Sequence, residues 1–131
     1  MTERVAVTSV WAHWRHPGGA GSRGDEASLR AEVARAKNGA SGDLAVVVGS
    51  SKGDLCGLAS GDFPLWAPDG EAARWAYEVG ASSFWAPNAA CATGAHALVL
   101  GAQLIQDGEA EIVVAGAVES VGSNNGSNNA A

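Results

Sequence analysis

Basic residues are scarce in this chain of 131 residues. Eight Lys and Arg stand against fourteen Asp and Glu, a formal charge of −6. No basic stripe is available to neutralise phosphates, which argues against a nucleic-acid partner. An acidic partner would need a local basic patch, because the global field repels it. Cysteine is scarce as well: Cys56 and Cys91 are the only two. Their spacing fits neither a disulfide framework nor a metal site, so both read as reduced thiols of a cytoplasmic protein. No apolar run approaches the roughly 18 residues of a membrane span, and no charged-then-apolar leader opens the chain. The expectation is a soluble protein with no membrane partner, no metal and no cofactor. What the chain does have is apolar residues, 47% of the total, enough for the core of one domain.

Alternating β-branched residues in "RVAVTSVW" (4–11) predict a first strand. A Gly-rich loop follows, carrying Trp14, His13 and His16. Asp25 is positioned to cap a helix over "EASLRAEVARAK", with Leu29, Val33 and Ala36 on one face and Gly39 as its stop. "LAVVVG" (44–49) is a continuous apolar run of the kind found in strands buried on both faces. The stretch from Ser50 to Gly70 reads as loop, with Gly, Ser and Pro throughout. "EAARWAYEVG" (71–80) reads as a short helix stopped by Gly80, and "SSFWA" (82–86) as a strand. From Ala92 to Gln106 the pattern is helical and apolar almost all round, which predicts a central helix ended by Gly108. "EIVVAGAVES" (111–120) reads as another buried strand, with Gly116 marking a close backbone approach. Strands alternating with helices predict an α/β layered fold: a mostly parallel sheet with helices packed on it. The fold is expected to occupy 1–121. Residues 122–131, "GSNNGSNNAA", lack any large apolar anchor and read as a flexible tail or linker.

Cys91 then falls in a strand–turn–helix junction, "APNAACATGAHALVLGAQ". At a helix start, unpaired backbone N–H groups and their partial positive charge favour a thiolate. A sharp turn between a buried strand and a buried helix lifts the side chain to one end of the sheet, as in a nucleophile elbow. A small buried cysteine is the other reading of the same residues, and local chemistry leaves the two open.

The longer stretch "NAACATGAHALVLGAQLIQDGEAEIVVAGAVES" (88–120) resembles the active-site block of β-ketoacyl synthases, members of the thiolase-like superfamily. "ACATGAHA" around Cys91, the helix ending at "QDGEAE", and "AGAVES" with Glu119 carry the likeness. "VVVGSSKGD" (46–54) and "RVAVTSV" are similar more loosely. The resemblance implies one half of a thiolase-like fold, the half that holds the nucleophilic cysteine. It also implies that Cys91 accepts an acyl group as a thioester, from a carrier protein or from CoA. That acyl group would then condense with the carbanion of a decarboxylated malonyl thioester, as in fatty acid or polyketide biosynthesis. The backbone N–H of Cys91 would help to hold the oxyanion.

The family carries two copies of the α/β unit, and only the first is matched. The two polar partners of the condensation, His–His or His–Asn, belong to the second. The expectation is therefore an oligomer: Cys91 completed by a second ketosynthase half or a full synthase. Two other readings compete with it. One is a non-catalytic dimerisation module of the same fold. The other is a reduced acyltransferase or thioesterase with His13 or His16 as base. His96 lies five residues past Cys91, about 140° around the helix, and reads as a core or supporting residue. Cys56 reads as a loop thiol. Lys52 in "GSSKGD" lacks P-loop spacing. Trp66, Trp75 and Trp85 read as core or interface anchors, and Asp107, Glu109 and Glu111 as a solvated turn. Glu119 is expected to make structural hydrogen bonds.

Overall fold

The computed structural model describes residues 4–8, 10, 26–38, 42–53, 55–61, 67 and 69–119. Its elements are α1 (Glu26–Lys37), β1 (Leu44–Gly49), α2 (Leu55–Ser60), α3 (Gly70–Val79), β2 (Ser83–Trp85), a 3₁₀ turn (Ala90–Ala92), α4 (Thr93–Gln106) and β3 (Ile112–Ala117). The described strands form one parallel sheet in the order β2-β1-β3. Ala45 pairs in register with Ser83 on one side and with Val113 on the other.

The apolar run of β1 lies at the centre because both of its faces are covered. All six of its residues are buried. Leu44, Val46 and Val48 pack with Leu29 and Val33 of α1 and with Ala72, Trp75 and Ala76 of α3. Val47 points the other way, onto Ala97 and Leu104 of α4. The period of two along the strand thus divides the core into two layers. The α1 positions read from the sequence hold: Leu29 and Val33 are buried, and Ala36 is half-buried. On the outer side, the Arg30 guanidinium pairs with Glu78 of α3.

The helix stops behave as their residues dictate. Gly80 adopts φ 70° and its N–H caps Tyr77, the left-handed ending that glycine permits at no steric cost. Asp107, Glu109 and Glu111 are exposed in the turn into β3. The assignments to Asp25 as cap, to Gly39 as stop, and to Trp66 and the 122–131 tail lie outside the described residues.

Three sequence expectations are corrected. Residues 4–8 and 10 form no strand; Val7 and Val10 stand exposed, and the segment pairs with no strand of the described sheet. Valine content favours a strand only where a neighbour and a buried face exist to receive it. Second, residues 55–60 are a short helix within the stretch read as loop, and Cys56 lies in it. Third, nothing among the described residues approaches Gly116 closely, and a Cβ there would meet open space. The close approaches fall at Gly42, against the Glu111 side chain, and at Gly49 and Gly101 instead. A Cβ on Gly101 would stand 3.0 Å from Val113 Cγ1 and 3.2 Å from Ala115 Cβ, so this glycine sets how near α4 lies to β3.

Candidate active site

The chain leaves β1 toward the face that carries α3 and leaves β2 toward the face that carries α4. Neighbouring strands whose outgoing connections part to opposite faces leave a crevice beyond their carboxyl ends, where α/β proteins place ligands. Residues 86–93 run through this point.

Trp85 ends β2, and Ala86 and Pro87 carry the chain off the sheet. At Asn88 the backbone turns. The Ala90 N–H donates to Asn88 Oδ1 over 3.1 Å, the two-residue closure characteristic of an Asx turn. Ala90 itself takes φ 50°, the only non-glycine residue among those described with positive φ. An L side chain in this region costs about 1–2 kcal/mol, so the surroundings must hold it. Thr93, buried at the first position of α4, does so from the helix side. Its hydroxyl accepts the Ala89 N–H at 3.0 Å and donates to the Ala90 carbonyl at 2.6 Å. The strained residue is followed at once by Cys91, in the 3₁₀ turn that leads into α4. Its thiol is free and exposed.

The ends of β1 and β3 close on the same turn. Gly49, the last residue of β1, lies against it so tightly that a Cβ would come within 2.2 Å of both the Pro87 carbonyl oxygen and Thr93 Cγ2. Past β3, the Val118 N–H donates to the Gly49 carbonyl at 2.9 Å. Glu119 then accepts the Ser51 N–H at 2.6 Å. The Ser51 carbonyl in turn accepts from Asn88 Nδ2 at 3.3 Å. Buried Ser50 tightens the turn beyond β1 by accepting the Gly53 N–H at 2.9 Å. Three strand ends therefore meet around Cys91 through Gly49, Ser51, Asn88, Thr93 and Glu119.

Of the residues singled out from the sequence, Cys91 stands at this elbow and Glu119 at its margin, the latter in the hydrogen-bonding role expected of it. His96, read as a core or supporting residue, is not in the core: it is exposed farther along α4. Trp75 is buried in the α3 layer, and Trp85 packs partly buried in the α4 layer. His13 and His16 lie outside the described residues. Among the described residues, no group of three or more His, Cys, Asp and Glu side chains is placed to hold a metal ion, and no helix is long and apolar enough to cross a membrane. The sequence pointed to the turn through Pro87 and Asn88 but not to the parts that Asn88, Ala90 and Thr93 play in it. The Asn two residues before Ala90 was the readable sign of an Asx turn. The Thr93 contacts became visible only once the turn was folded back on itself.

The family model for the beta-ketoacyl synthase N-terminal domain matches residues 2–129. A comparison with curated proteins returned no match. The strand–elbow–helix around an exposed cysteine is thus carried by a chain that belongs to the beta-ketoacyl synthase family, through its N-terminal domain.

Proposed function

We propose that the chain is the nucleophile-bearing half of a ketosynthase-type condensing activity, with Cys91 as its acyl acceptor. The observation that carries this reading is the exposed Cys91 thiol at the elbow, at the carboxyl ends of the parallel strands, in a chain of this family.

The chemistry follows from the groups present. The Cys91 thiolate attacks the carbonyl carbon of an acyl thioester on a carrier protein or CoA, and the backbone N–H of Cys91 helps to hold the oxyanion that forms. Collapse breaks the donor C–S bond, releases the donor as a thiolate that takes its proton from solvent, and leaves the acyl group on Sγ. The new thioester keeps its activation. Loss of CO₂ from a malonyl thioester then generates a carbanion, which attacks the acyl carbon and expels the Cys91 thiolate, leaving a 3-ketoacyl thioester.

The second step needs polar groups to steady the malonyl carbonyl, which the family resemblance assigns to a second half. The outer face of α4 supports such a partner. Ala95, Leu98 and Val99 are exposed there, at spacings that place them on one stripe. The experiment is mass spectrometry of the chain after incubation with an acyl-CoA, compared with Cys91→Ala. A stoichiometric adduct on the Cys91 peptide, lost in the variant, supports the acyl-acceptor reading. No adduct at Cys91 overturns it in favour of an interaction module. An adduct that hydrolyses without condensation when a second half is supplied points to a thioesterase.

A further inference from the structure

The Ser51 peptide is gripped from both sides. Its N–H donates to the Glu119 carboxylate beyond β3, and its carbonyl accepts from the Asn88 carboxamide, whose oxygen accepts the Ala90 N–H. Contacts thus run from the end of β3, through the end of β1, to the residue that immediately precedes the cysteine. Asn88 is the link that touches both the strand ends and the turn. Neither the Asn88 nor the Glu119 side chain is buried, so burial does not explain these contacts; their directions do. Each bond runs to a backbone group of the elbow or of the strand end beside it, and Ala90 is the strained residue they hold.

We propose that Asn88 is a positioning residue for Cys91 and that Glu119 acts through it. Its carboxamide fixes the Ala90 peptide in the left-handed conformation and anchors that peptide to the end of β1, so that Cys91 stays in the turn at the start of α4. The inference rests on the reading of Cys91 as the acyl acceptor, but its consequence for thiol reactivity is measurable without any acyl transfer. When the link is cut, the Ala90 turn relaxes and Cys91 moves from the start of α4, so its thiol is no longer held in the exposed position from which it meets a reagent.

The test uses the whole chain and iodoacetamide, with peptide mapping so that Cys91 and Cys56 are followed separately. Asn88→Ala removes both carboxamide contacts. It is expected to slow alkylation of Cys91 by about tenfold, the effect of losing one to two hydrogen bonds, while the Cys56 rate stays at its wild-type value. Asn88→Ser retains a short side-chain acceptor able to close the turn on the Ala90 N–H, and is expected to recover at least half of the loss on a logarithmic scale. Glu119→Ala is expected to follow Asn88→Ala in direction, and Glu119→Gln, which keeps an acceptor for Ser51, to stay near wild type. A Cys91 rate in Asn88→Ala equal to or above the wild-type rate overturns the proposal. So does a change that appears equally at Cys56, which marks general loosening, or a serine variant no better than alanine. Acyl-CoA is tried on the same samples. If wild-type Cys91 is not acylated while the alkylation pattern holds, the acyl-acceptor reading fails and the positioning role stands.

Discussion

Ala90 is where the local cost of the elbow is concentrated. With φ at 50°, it holds a conformation that glycine would take freely. Ala90→Gly is expected to leave stability unchanged or raise it by up to about 1 kcal/mol, the relief of strain being partly offset by the greater freedom of glycine in the unfolded chain. Thermal unfolding checks this. Thr93 makes the opposite case. Thr93→Val preserves shape but strips the Ala89 N–H and the Ala90 carbonyl of the hydroxyl they share, and is expected to cost about 1–3 kcal/mol. Thr93→Ser, which keeps the hydroxyl, is expected to cost less, and chemical denaturation separates the two. A valine variant as stable as wild type would mean that Thr93 does not hold the turn. At this scale the sequence disclosed the important residue and hid its supports. Cys91 stands out as one of only two cysteines, inside a long family motif. Asn88 and Thr93 are common residue types whose parts emerge only when residues 49, 51 and 119 arrive beside them.

Among the elements, contact between helices and strands is governed by small residues, and the structure ranks them. A Cβ at Gly49 would overlap the Pro87 carbonyl oxygen and Thr93 at 2.2 Å, whereas at Gly116 it would meet nothing. Gly49→Ala is therefore expected to destabilise by about 3 kcal/mol, since backbone must move to admit the methyl group. Gly116→Ala, in the interior of β3, is expected to be neutral or stabilising by about 0.5–1 kcal/mol. Denaturant titration of the two variants side by side decides between them, and equal costs would contradict the packing described for the strand ends. The sequence alone placed a close approach at Gly116 and gave no sign of the one at Gly49. A glycine in a strand advertises that something can come near; whether it does depends on the partner across the sheet. The elements themselves were more legible. The unbroken apolar run of β1 and the helical pattern of α4 were both readable, and both formed close to the expected positions. Residues 4–8 and 10 carry the same β-branched residues without a strand to pair with, and did not form one. The short helix α2, in a stretch rich in glycine and serine, had no periodic signal to reveal it.

For the molecule as a whole, the central question is what covers α4. Its inner face packs Thr93, Ala97, Gly101 and Leu104 into the protein, while Leu98 and Val99 stand more than half exposed on the outer face. If a partner half packs there, a double substitution Leu98→Glu and Val99→Lys should leave the fold intact, because surface changes usually stay within about 0.5 kcal/mol. Sedimentation should then shift toward the monomer. Wild-type chain that sediments as a monomer at every concentration would count against self-association through this face and direct attention to a different chain as the partner. The most direct measurement of the account is acyl transfer to the thiol itself. Incubated with an acyl-CoA and mapped by mass spectrometry, the wild-type chain is predicted to carry one acyl group, on Cys91, and Cys91→Ala none. An unmodified Cys91 in a correctly folded chain, or acylation that persists in Cys91→Ala, would contradict it.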